Sequence, residues 1–138
     1  MELSVVIPVR NEAPNIAPLV GEIRAALDGA CDYEIIYVDD GSTDETAAAV
    51  HALKAGFPRL RLLRHRASAG QSAAILTGVK AARAPWIATL DGDGQNDPAD
   101  VPRLWQMARE APEQPPVLVA GWRQKRQDST VKRLSRML

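Results

Sequence analysis

The chain has 138 residues, enough for one domain with a hydrophobic core, and its 46% of hydrophobic residues excludes a largely disordered protein. Its 17 basic and 17 acidic residues balance, but residues 122–138 carry a net charge of +5 and residues 1–121 one of −5, which indicates an anionic partner for the basic segment. Cys31 is the single cysteine, which excludes an internal disulfide and a zinc site built from cysteines.

The first predicted strand and helix lie within the first 27 residues. Leu3–Val9 is a run rich in β-branched residues, which predicts a buried strand. Pro8 near its end lacks an N–H and therefore stops further ladder pairing on one side. Asn15 is a candidate cap for a helix whose apolar residues recur at helical spacing. These apolar residues are Ile16, Leu19, Val20, Ile23 and Leu27.

A second strand and helix follow, and then a third strand. Tyr33–Val38 has the composition of a buried strand. Ser42 and Glu45 have the spacing of a capping box, so we expect a helix over residues 43–55. Leu60–Arg64 is a weaker and more polar strand, which favours a position near the edge of a sheet.

The next predicted elements are a helix and a fourth strand. An alanine-rich helix is expected over residues 71–83, with Ile75, Leu76 and Val79 on its inner face. The apolar run Trp86–Leu90 predicts a buried strand that ends abruptly in aspartate and glycine residues.

The last predicted elements are a helix, a strand and a second helix. Asp97 and Asp100 both offer caps for a helix with Val101, Leu104, Trp105 and Ala108 on one face. Val117–Gly121 predicts a fifth strand. The basic segment is expected to hold an amphipathic helix with Val131, Leu134 and Leu138 on one side.

Strands that alternate with helices predict an α/β fold with a mostly parallel sheet and helices on both faces. Ligands of such sheets bind outside the carboxyl ends of the strands. The first, second and fourth strands all end in acids, at Glu12, at Asp39 and Asp40, and at Asp91 and Asp93. Acids gathered at one edge would repel one another unless a cation or a donor-rich ligand lay among them.

The strongest candidate for a metal site is the pair Asp91 and Asp93. Two carboxylates separated by Gly92 can converge on one cation, and oxygen ligands suit Mg²⁺ or Mn²⁺ better than zinc. A solvated turn is the alternative interpretation. A calcium-binding EF-hand loop is excluded, because Asn96 stands where it needs glycine and Pro102 where it needs glutamate.

Asp39 and Asp40 are candidates for contacts with a nucleotide, since an acid at a second strand end can accept hydrogen bonds from a ribose or a base. Plain helix capping is the alternative, but it does not require two acids. No glycine-rich phosphate-binding motif occurs in the chain, so a metal would have to hold the phosphates. His51 and His65 lack a partner at metal-binding spacing and are expected to be surface or loop residues.

Five segments together resemble the inverting family 2 glycosyltransferases of the GT-A fold. The similarity is to the branch that makes polyprenyl-phosphate sugars, such as dolichyl-phosphate mannose synthases and undecaprenyl-phosphate glycosyltransferases. The segments occur in the family's order and span nearly the whole chain. They are Ser4–Glu12, Val38–Asp44, Ala69–Ala74, Leu90–Pro98 and Gly121–Arg123.

The resemblance implies a role for individual residues of these segments. Nucleotide-binding residues would be Pro8, Val9, Arg10, Glu12, Asp39, Asp40, Asp91, Gly92 and Asp93. Metal ligands for Mg²⁺ or Mn²⁺ would be Asp91, Asp93 and Gln95. Arg123 would act in catalysis beside Asp91 and Asp93 by facing a phosphate group. The acceptor phosphate would contact Arg123, Lys132 and Arg133.

The implied function is transfer of a sugar from a GDP- or UDP-sugar to an acceptor, most naturally a polyprenyl phosphate, with inversion and a divalent metal. Residues 1–121 would form the core that binds the nucleotide sugar, and residues 122–138 the start of the part that faces acceptor and membrane. Family catalytic domains continue further, so the chain is expected to be truncated on its C-terminal side.

Two alternatives remain beside this function. One is a nucleotide- and metal-binding fragment without full activity. The other is a sugar nucleotidyltransferase, which would need a glycine-rich basic loop after the first strand, where this chain has Pro8, Val9 and Arg10. Nucleic acid is not an expected partner.

The sequence shows no signal peptide and no apolar run near the roughly 18–20 residues of a membrane-spanning helix. A cytoplasmic location is therefore expected, at the cytoplasmic face of a membrane if the basic segment contacts lipid.

Overall fold

A computed structural model describes residues 1–110 with their side chains, and residues 117–124 and 128–136 as backbone. Four parallel strands form one sheet in the order β3-β2-β1-β4. The strands are β1 (Leu3–Val9), β2 (Tyr33–Asp39), β3 (Leu60–Arg64) and β4 (Trp86–Thr89). The helices are α1 (Ala13–Leu27), α2 (Thr46–Lys54), α3 (Gln71–Ala81), a 3₁₀ turn over Pro98–Asp100, and α4 (Val101–Glu110). The predicted α/β architecture with a parallel sheet is confirmed.

The main core lies on the sheet face that carries α1, α2 and α4. All five apolar residues predicted for α1 are buried there. The helix begins at Ala13 with Glu12 as its N-cap residue, so the prediction of Asn15 as the cap is wrong. In α4, Val101 and Trp105 are buried as expected.

The opposite face is covered by α3, which contacts β1 and β2. The predicted inner face of α3 is wrong, because Ala74 and Gly78 are the buried residues, whereas Leu76 is 52% exposed and Val79 38% exposed. A Cβ on Gly78 would lie 2.4 Å from a side-chain carbon of Val6. The helix therefore approaches the sheet along its small residues, which the apolar periodicity did not reveal.

The sequence predicted one of the two outer strands of the sheet correctly and the other wrongly. β3 is an edge strand, as its polar character predicted. β4 was expected to be buried, but among the described strands it pairs with β1 alone, and its residues are half-buried or exposed. Its ladder with β1 ends at Val6, whereas β1 pairs with β2 as far as Val9. Pro8 supplies no N–H to continue the ladder toward β4, as predicted.

The helix α2 begins three residues later than a capping box at Ser42 would require. Ser42 Oγ instead accepts a hydrogen bond from the backbone of Asn11, at 2.9 Å. Asp44 Oδ1 accepts from the backbone N–H of Thr46 at 2.9 Å, so Asp44 supplies the hydrogen bond at the start of this helix. The capping-box prediction is therefore wrong.

The basic segment forms a strand in the structure, so the predicted amphipathic helix is wrong. β5 (Val117–Gln124) and β6 (Asp128–Arg136) pair antiparallel as a separate two-stranded sheet. The predicted fifth strand is confirmed within β5, while Leu138 lies outside the described residues. Within the part of the chain that the structure describes, no helix combines the length and the apolar character needed to cross a membrane.

Candidate functional site

The carboxyl ends of three strands meet at one edge of the sheet. The registers place Val9, Asp39 and Arg64 in one row across β1, β2 and β3. The loop after β4 joins this edge, because the N–H of Leu90 donates to the carbonyl of Val6 at 3.1 Å. The expectation that the acidic strand ends share one edge of the sheet is confirmed by this topology.

A cavity of about 400 Å³ opens at this edge, within the usual size range of ligand sites. Every residue of the predicted nucleotide-binding set lines it except Asp39. Three further lining residues, which sequence reasoning did not assign, are Ser68 and Gly70 from the segment between β3 and α3, and Gln71 at the start of α3. The lining residues are Pro8, Val9, Arg10, Glu12, Asp40, Ser68, Gly70, Gln71, Asp91, Gly92 and Asp93.

Gly92 allows the loop after β4 to cross the end of β1. A Cβ at this position would lie 2.3 Å from Val9 Cγ1 and 3.1 Å from the carbonyl oxygen of Pro8. Such distances leave no room for any side chain. The glycine between the two aspartates is therefore required by a close approach of backbone to strand.

Asp91 and Asp93 are exposed, and each has one carboxylate oxygen held by the protein. Asp91 Oδ1 accepts a hydrogen bond from Gln71 Nε2 at 3.1 Å, and Asp93 Oδ1 accepts from the backbone N–H of Gln95 at 2.9 Å. The backbone N–H of Asp91 donates to Asn96 Oδ1 at 2.6 Å. Oδ2 of each aspartate accepts no hydrogen bond from residues 1–110, so it remains available to a ligand.

This donor set suits a hard cation that also binds substrate phosphates. Residues 1–110 hold no cluster of three or more histidine, cysteine, aspartate or glutamate side chains able to enclose a metal. Mg²⁺ is commonly bound by one or two carboxylates, with phosphate and water oxygens as its other ligands. Asp91 and Asp93 fit that pattern. Gln95 does not line the cavity, and its contact with Asp93 is made through its backbone.

Asp39 lies behind the cavity wall with 1% of its surface exposed. Its Oδ1 accepts a hydrogen bond from the backbone N–H of Ser42 at 2.9 Å. Its buried Oδ2 accepts no hydrogen bond from residues 1–110, although Nε of Arg64 lies 3.5 Å away as an ion-pair partner. A buried carboxylate oxygen without a hydrogen bond is costly, so this atom is a candidate acceptor for an N–H of a ligand.

Asp40 is also buried, and both its oxygens hold the segment between β3 and α3. Oδ1 accepts from the backbone N–H of Ala69 at 2.8 Å, while Oδ2 accepts from Ser68 Oγ and the N–H of Gly70, each at 2.9 Å. Burial alone would raise the pKa of this carboxyl. The hydrogen bonds outweigh burial and hold the pKa of Asp40 well below its usual range.

His65 links the same carboxylate to α3. Its Nδ1 lies 2.8 Å from Asp40 Oδ1 and its Nε2 lies 2.8 Å from Thr77 Oγ1. Since an ionised carboxylate only accepts, the hydrogen in the first contact belongs to Nδ1. The expected loop position of His65 is confirmed, but its side chain is only 18% exposed and connects Asp40, which lines the cavity, to Thr77 of α3.

Asn11 ties the loop after β1 to the loop after β2. Its Oδ1 accepts from the backbone N–H of Thr43 at 2.8 Å and from that of Asp44 at 3.3 Å. Its φ of 56° lies in the left-handed region, which asparagine tolerates better than most residues. The tie fixes the backbone between Arg10 and Glu12, both of which line the cavity.

The residues expected to meet the acceptor phosphate lie on the hairpin of β5 and β6. The register pairs Arg123 with Ser129, Lys132 with Ala120, and Arg133 with Val119. Because successive residues of a strand alternate between faces, positions 123 and 133 share one face of the hairpin and position 132 lies on the other. The side chains of these three residues lie outside the described part of the chain.

The sequence matches the family model described as glycosyl transferase family 2 over residues 4–137. A dodecaprenyl-phosphate galacturonate synthase of Rhizobium johnstonii is 40% identical over 131 residues, which cover 93% of this chain and 38% of the relative. An undecaprenyl-phosphate 4-deoxy-4-formamido-L-arabinose transferase of Aeromonas hydrophila is 37% identical over 130 residues, 92% of this chain and 38% of the relative. The chain thus spans well under half the length of these relatives.

Solved structures with the GT-A fold resemble the chain as well. A mannosyltransferase of Pyrobaculum calidifontis, solved with GDP-mannose and Mn²⁺, superposes with a TM-score of 0.62 at 28% identity, covering 67% of this chain and 27% of that one. Residues 1–349 of Staphylococcus aureus TarS, solved with UDP, superpose with a TM-score of 0.65 at 20% identity, covering 79% of this chain and 33% of that one. These similarities confirm the fold expected from the sequence.

Proposed function

The chain belongs to glycosyl transferase family 2, and we propose that it binds a nucleotide sugar and takes part in transferring the sugar, with inversion, to a polyprenyl phosphate. The observation that carries the proposal is the cavity, which gathers residues from the ends of β1, β2 and β4 that the resemblance had assigned to the nucleotide. The names of the two curated relatives, both of which act on polyprenyl phosphates, support the choice of acceptor.

The nucleotide would lie along the loops after β1 and β2. Arg10 offers a positive charge to the diphosphate, and Glu12 offers an acceptor for hydroxyl groups. Asp39 Oδ2 would accept an N–H of the base once Arg64, whose side chain is 57% exposed, moves aside. Asp40 would contribute indirectly, by holding the wall that the nucleotide contacts.

The diphosphate would lie at Asp91 and Asp93, which we propose as ligands of Mg²⁺ or Mn²⁺. When bound there, the cation would act as a Lewis acid that neutralises charge on the departing nucleoside diphosphate. The protein's part is to restrain Oδ1 of each carboxylate, which leaves the two Oδ2 atoms without a hydrogen-bond donor from residues 1–110. Gln95 remains a proposed third ligand.

The acceptor would approach from the side of the hairpin. A phosphate monoester has a second pKa near 6, so at neutral pH it is already an anionic nucleophile and needs no general base. Arg123, Lys132 and Arg133 are proposed to contact this phosphate. Arg123 would also assist catalysis by facing the charge that develops at the phosphates.

We further propose that the basic segment attracts the anionic surface of a membrane, which would favour the cytoplasmic face as the location of the reaction. Residues 1–121 would then form the donor-binding core, and residues 122–138 the beginning of the acceptor side. A nucleotide- and metal-binding fragment without turnover is the second candidate function, because the chain spans 38% of the relatives it matches.

A thermal-shift screen with UDP-, GDP- and dTDP-sugars, each with and without Mn²⁺, tests donor binding directly. We expect one nucleotide class to raise the melting temperature, and to do so more strongly with Mn²⁺. If no nucleotide stabilises the chain, the proposed donor site is wrong. Incubation of the same chain with a radiolabelled donor and polyprenyl phosphate then separates a transferase from a binding fragment.

A further inference from the structure

Gln71 is the first residue of α3, and it lines the cavity beside the two exposed aspartates. Its Nε2 donates a hydrogen bond to Asp91 Oδ1 at 3.1 Å. We propose that Gln71 is a positioning residue, which holds Asp91 in the orientation that binds a divalent cation together with a nucleoside diphosphate. The inference rests on the proposed function and assigns a residue that the sequence had left without a role.

The direction of this hydrogen bond follows from chemistry. An ionised carboxylate only accepts, so the amide nitrogen of Gln71 faces Asp91. The bond occupies Oδ1 and leaves Oδ2 without a donor from residues 1–110. Because Asp91 is exposed, its side chain would otherwise be free to rotate among several orientations. Fixing the carboxylate in advance removes the entropy loss that a ligand would otherwise cause.

A neutral donor suits this task better than a cation would. Lysine or arginine at position 71 would compensate the charge of Asp91 and compete with Mg²⁺ or Mn²⁺ for it. The glutamine amide orients the carboxylate while the negative charge stays available. The geometry therefore matches a residue that prepares a metal ligand without replacing the metal.

Gln71 is itself held in place by Asp40. The backbone N–H of the preceding residue, Gly70, donates to Asp40 Oδ2 at 2.9 Å, and the carbonyl of Gly70 accepts from Ala74 at 3.1 Å. The first turn of α3 is thus tied to the end of β2. Two hydrogen bonds, joined by the peptide bond between Gly70 and Gln71, thus connect Asp40 to Asp91. The residue that follows β2 therefore helps to position a residue of the loop after β4.

The test compares Gln71→Met with Gln106→Met in the 138-residue chain. Gln71→Met keeps a similar side-chain length and removes the donor. Gln106 is a matched control, because its Nε2 also donates to a carboxylate, Glu110 Oε1 at 2.9 Å, but on α4 outside the cavity lining. Electron paramagnetic resonance measures free Mn²⁺ in a titration with UDP or GDP, whichever stabilises the wild-type chain. Calorimetry measures nucleotide affinity in EDTA.

We expect Gln71→Met to weaken Mn²⁺ binding in the presence of nucleotide by roughly ten-fold, the loss of one charge-assisted hydrogen bond. Nucleotide affinity in EDTA and the melting temperature should match those of Gln106→Met. Unchanged Mn²⁺ affinity would overturn the positioning role, and so would an equal loss with and without metal, which indicates general damage to the cavity. If the wild-type chain itself shows no Mn²⁺-dependent nucleotide binding, the proposed function fails, and the inference fails with it.

Should Gln71→Met prove unstable, Gln71→Ala serves the same purpose, since alanine suits the first turn of a helix. The same fold-change is expected from this variant, and wild-type Mn²⁺ affinity in it would contradict the proposal.

Discussion

His65 Nδ1 lies 2.8 Å from Asp40 Oδ1, and this contact joins the end of β3 to the end of β2. Asp40 also receives hydrogen bonds from Ser68, Ala69 and Gly70, so one buried carboxylate organises the whole segment before α3. That segment carries Ser68 and Gly70, two of the residues that line the cavity, and it leads directly into a third, Gln71. The shape of the candidate site therefore depends on a residue whose own oxygens face the protein.

Replacing Asp40 with asparagine should destabilise the fold and weaken nucleotide binding together. The amide cannot accept at both ends, so at least one of the part-buried donors loses its partner, at a cost of about 1–3 kcal/mol in the free energy of unfolding. Urea unfolding at pH 7 measures this loss. Asp100→Asn, which alters a 3.6 Å ion pair with Arg103, is the control and should cost under about 1 kcal/mol.

The difference in the free energy of unfolding between wild type and Asp40→Asn should depend on pH in a definite direction. The folded-state pKa of Asp40 lies below the unfolded value of about 4. Its contribution to stability is thus fully present above that unfolded pKa, and it declines as the pH falls toward the folded one. The gap between wild type and Asp40→Asn should narrow progressively below about pH 4. A gap that widens on acidification would contradict the assignment.

Gly92→Ala should displace the loop that carries Asp91 and Asp93. The added Cβ would lie 2.3 Å from Val9 Cγ1, an overlap that costs about 1–3 kcal/mol of stability and moves the aspartates. Isothermal calorimetry with nucleoside diphosphate and Mn²⁺ should show weaker binding. Gly21→Ala on α1 is the matched control, because no atom of the described residues beyond its chain neighbours and its own helix backbone lies within 4 Å of the added Cβ. We expect this change to stabilise the protein by about 0.5–1 kcal/mol. Wild-type affinity and stability in Gly92→Ala would refute the close approach.

Asp93→Ala should abolish the Mn²⁺-dependent part of nucleoside diphosphate binding, because Asp93 supplies one of two proposed carboxylate ligands. Calorimetric titrations in Mn²⁺ and in EDTA separate the metal-dependent part from the rest. Glu22→Ala, an exposed position on α1, removes the same charge away from the cavity and should bind as wild type does. An unchanged affinity in Mn²⁺ for Asp93→Ala would exclude the proposed metal role.

Glu34→Gln should lower stability without changing nucleotide affinity. Glu34 is 1% exposed and accepts hydrogen bonds from Ser4 Oγ at 2.8 Å, from the N–H of Arg83 at 2.9 Å and from Arg61 at 3.1 Å. It lies near the amino ends of the strands, opposite the cavity. We expect a loss of about 1–3 kcal/mol in urea unfolding. A parallel loss of nucleotide affinity would show that the two ends of the sheet are coupled.

Neutralising Lys132 and Arg133 to glutamine should weaken binding to anionic liposomes. Each basic residue near such a surface contributes about 1 kcal/mol, so the pair should change the partition coefficient roughly thirty-fold. Co-sedimentation with phosphatidylserine vesicles measures it. Lys54→Gln with Lys80→Gln removes the same charge from α2 and α3 and serves as the control. Equal sedimentation of both double variants would remove the membrane contact from the proposal.

Much of the fold was predictable because it depends on short-range patterns. The strands β1 and β2 follow from β-branched runs, and β3 follows from a short run of leucines. The buried face of α1 follows from helical spacing. Acids at three strand ends, together with the rule that parallel strands align their carboxyl ends, indicated the position of the site. The errors arose where contacts with a distant element determine the structure. In α3, the small residues contact β1. In β6, pairing with β5 overrides an amphipathic pattern.

The sequence by itself determined the order of strands and helices as far as β5, the family resemblance, and the set of acids that a metal and a nucleotide would need. The tertiary structure decided which of those acids face the cavity. Asp91 and Asp93 each have one carboxylate oxygen without a donor from residues 1–110. Both oxygens of Asp40 accept hydrogen bonds from the segment before α3, and Asp39 lies behind the cavity wall. The reason is that the hydrogen bonds of Asp40 come from residues up to 30 positions away, and no local pattern encodes such partners. Gln71 shows the same dependence, because its contact with Asp91 exists only once α3 has packed on the sheet.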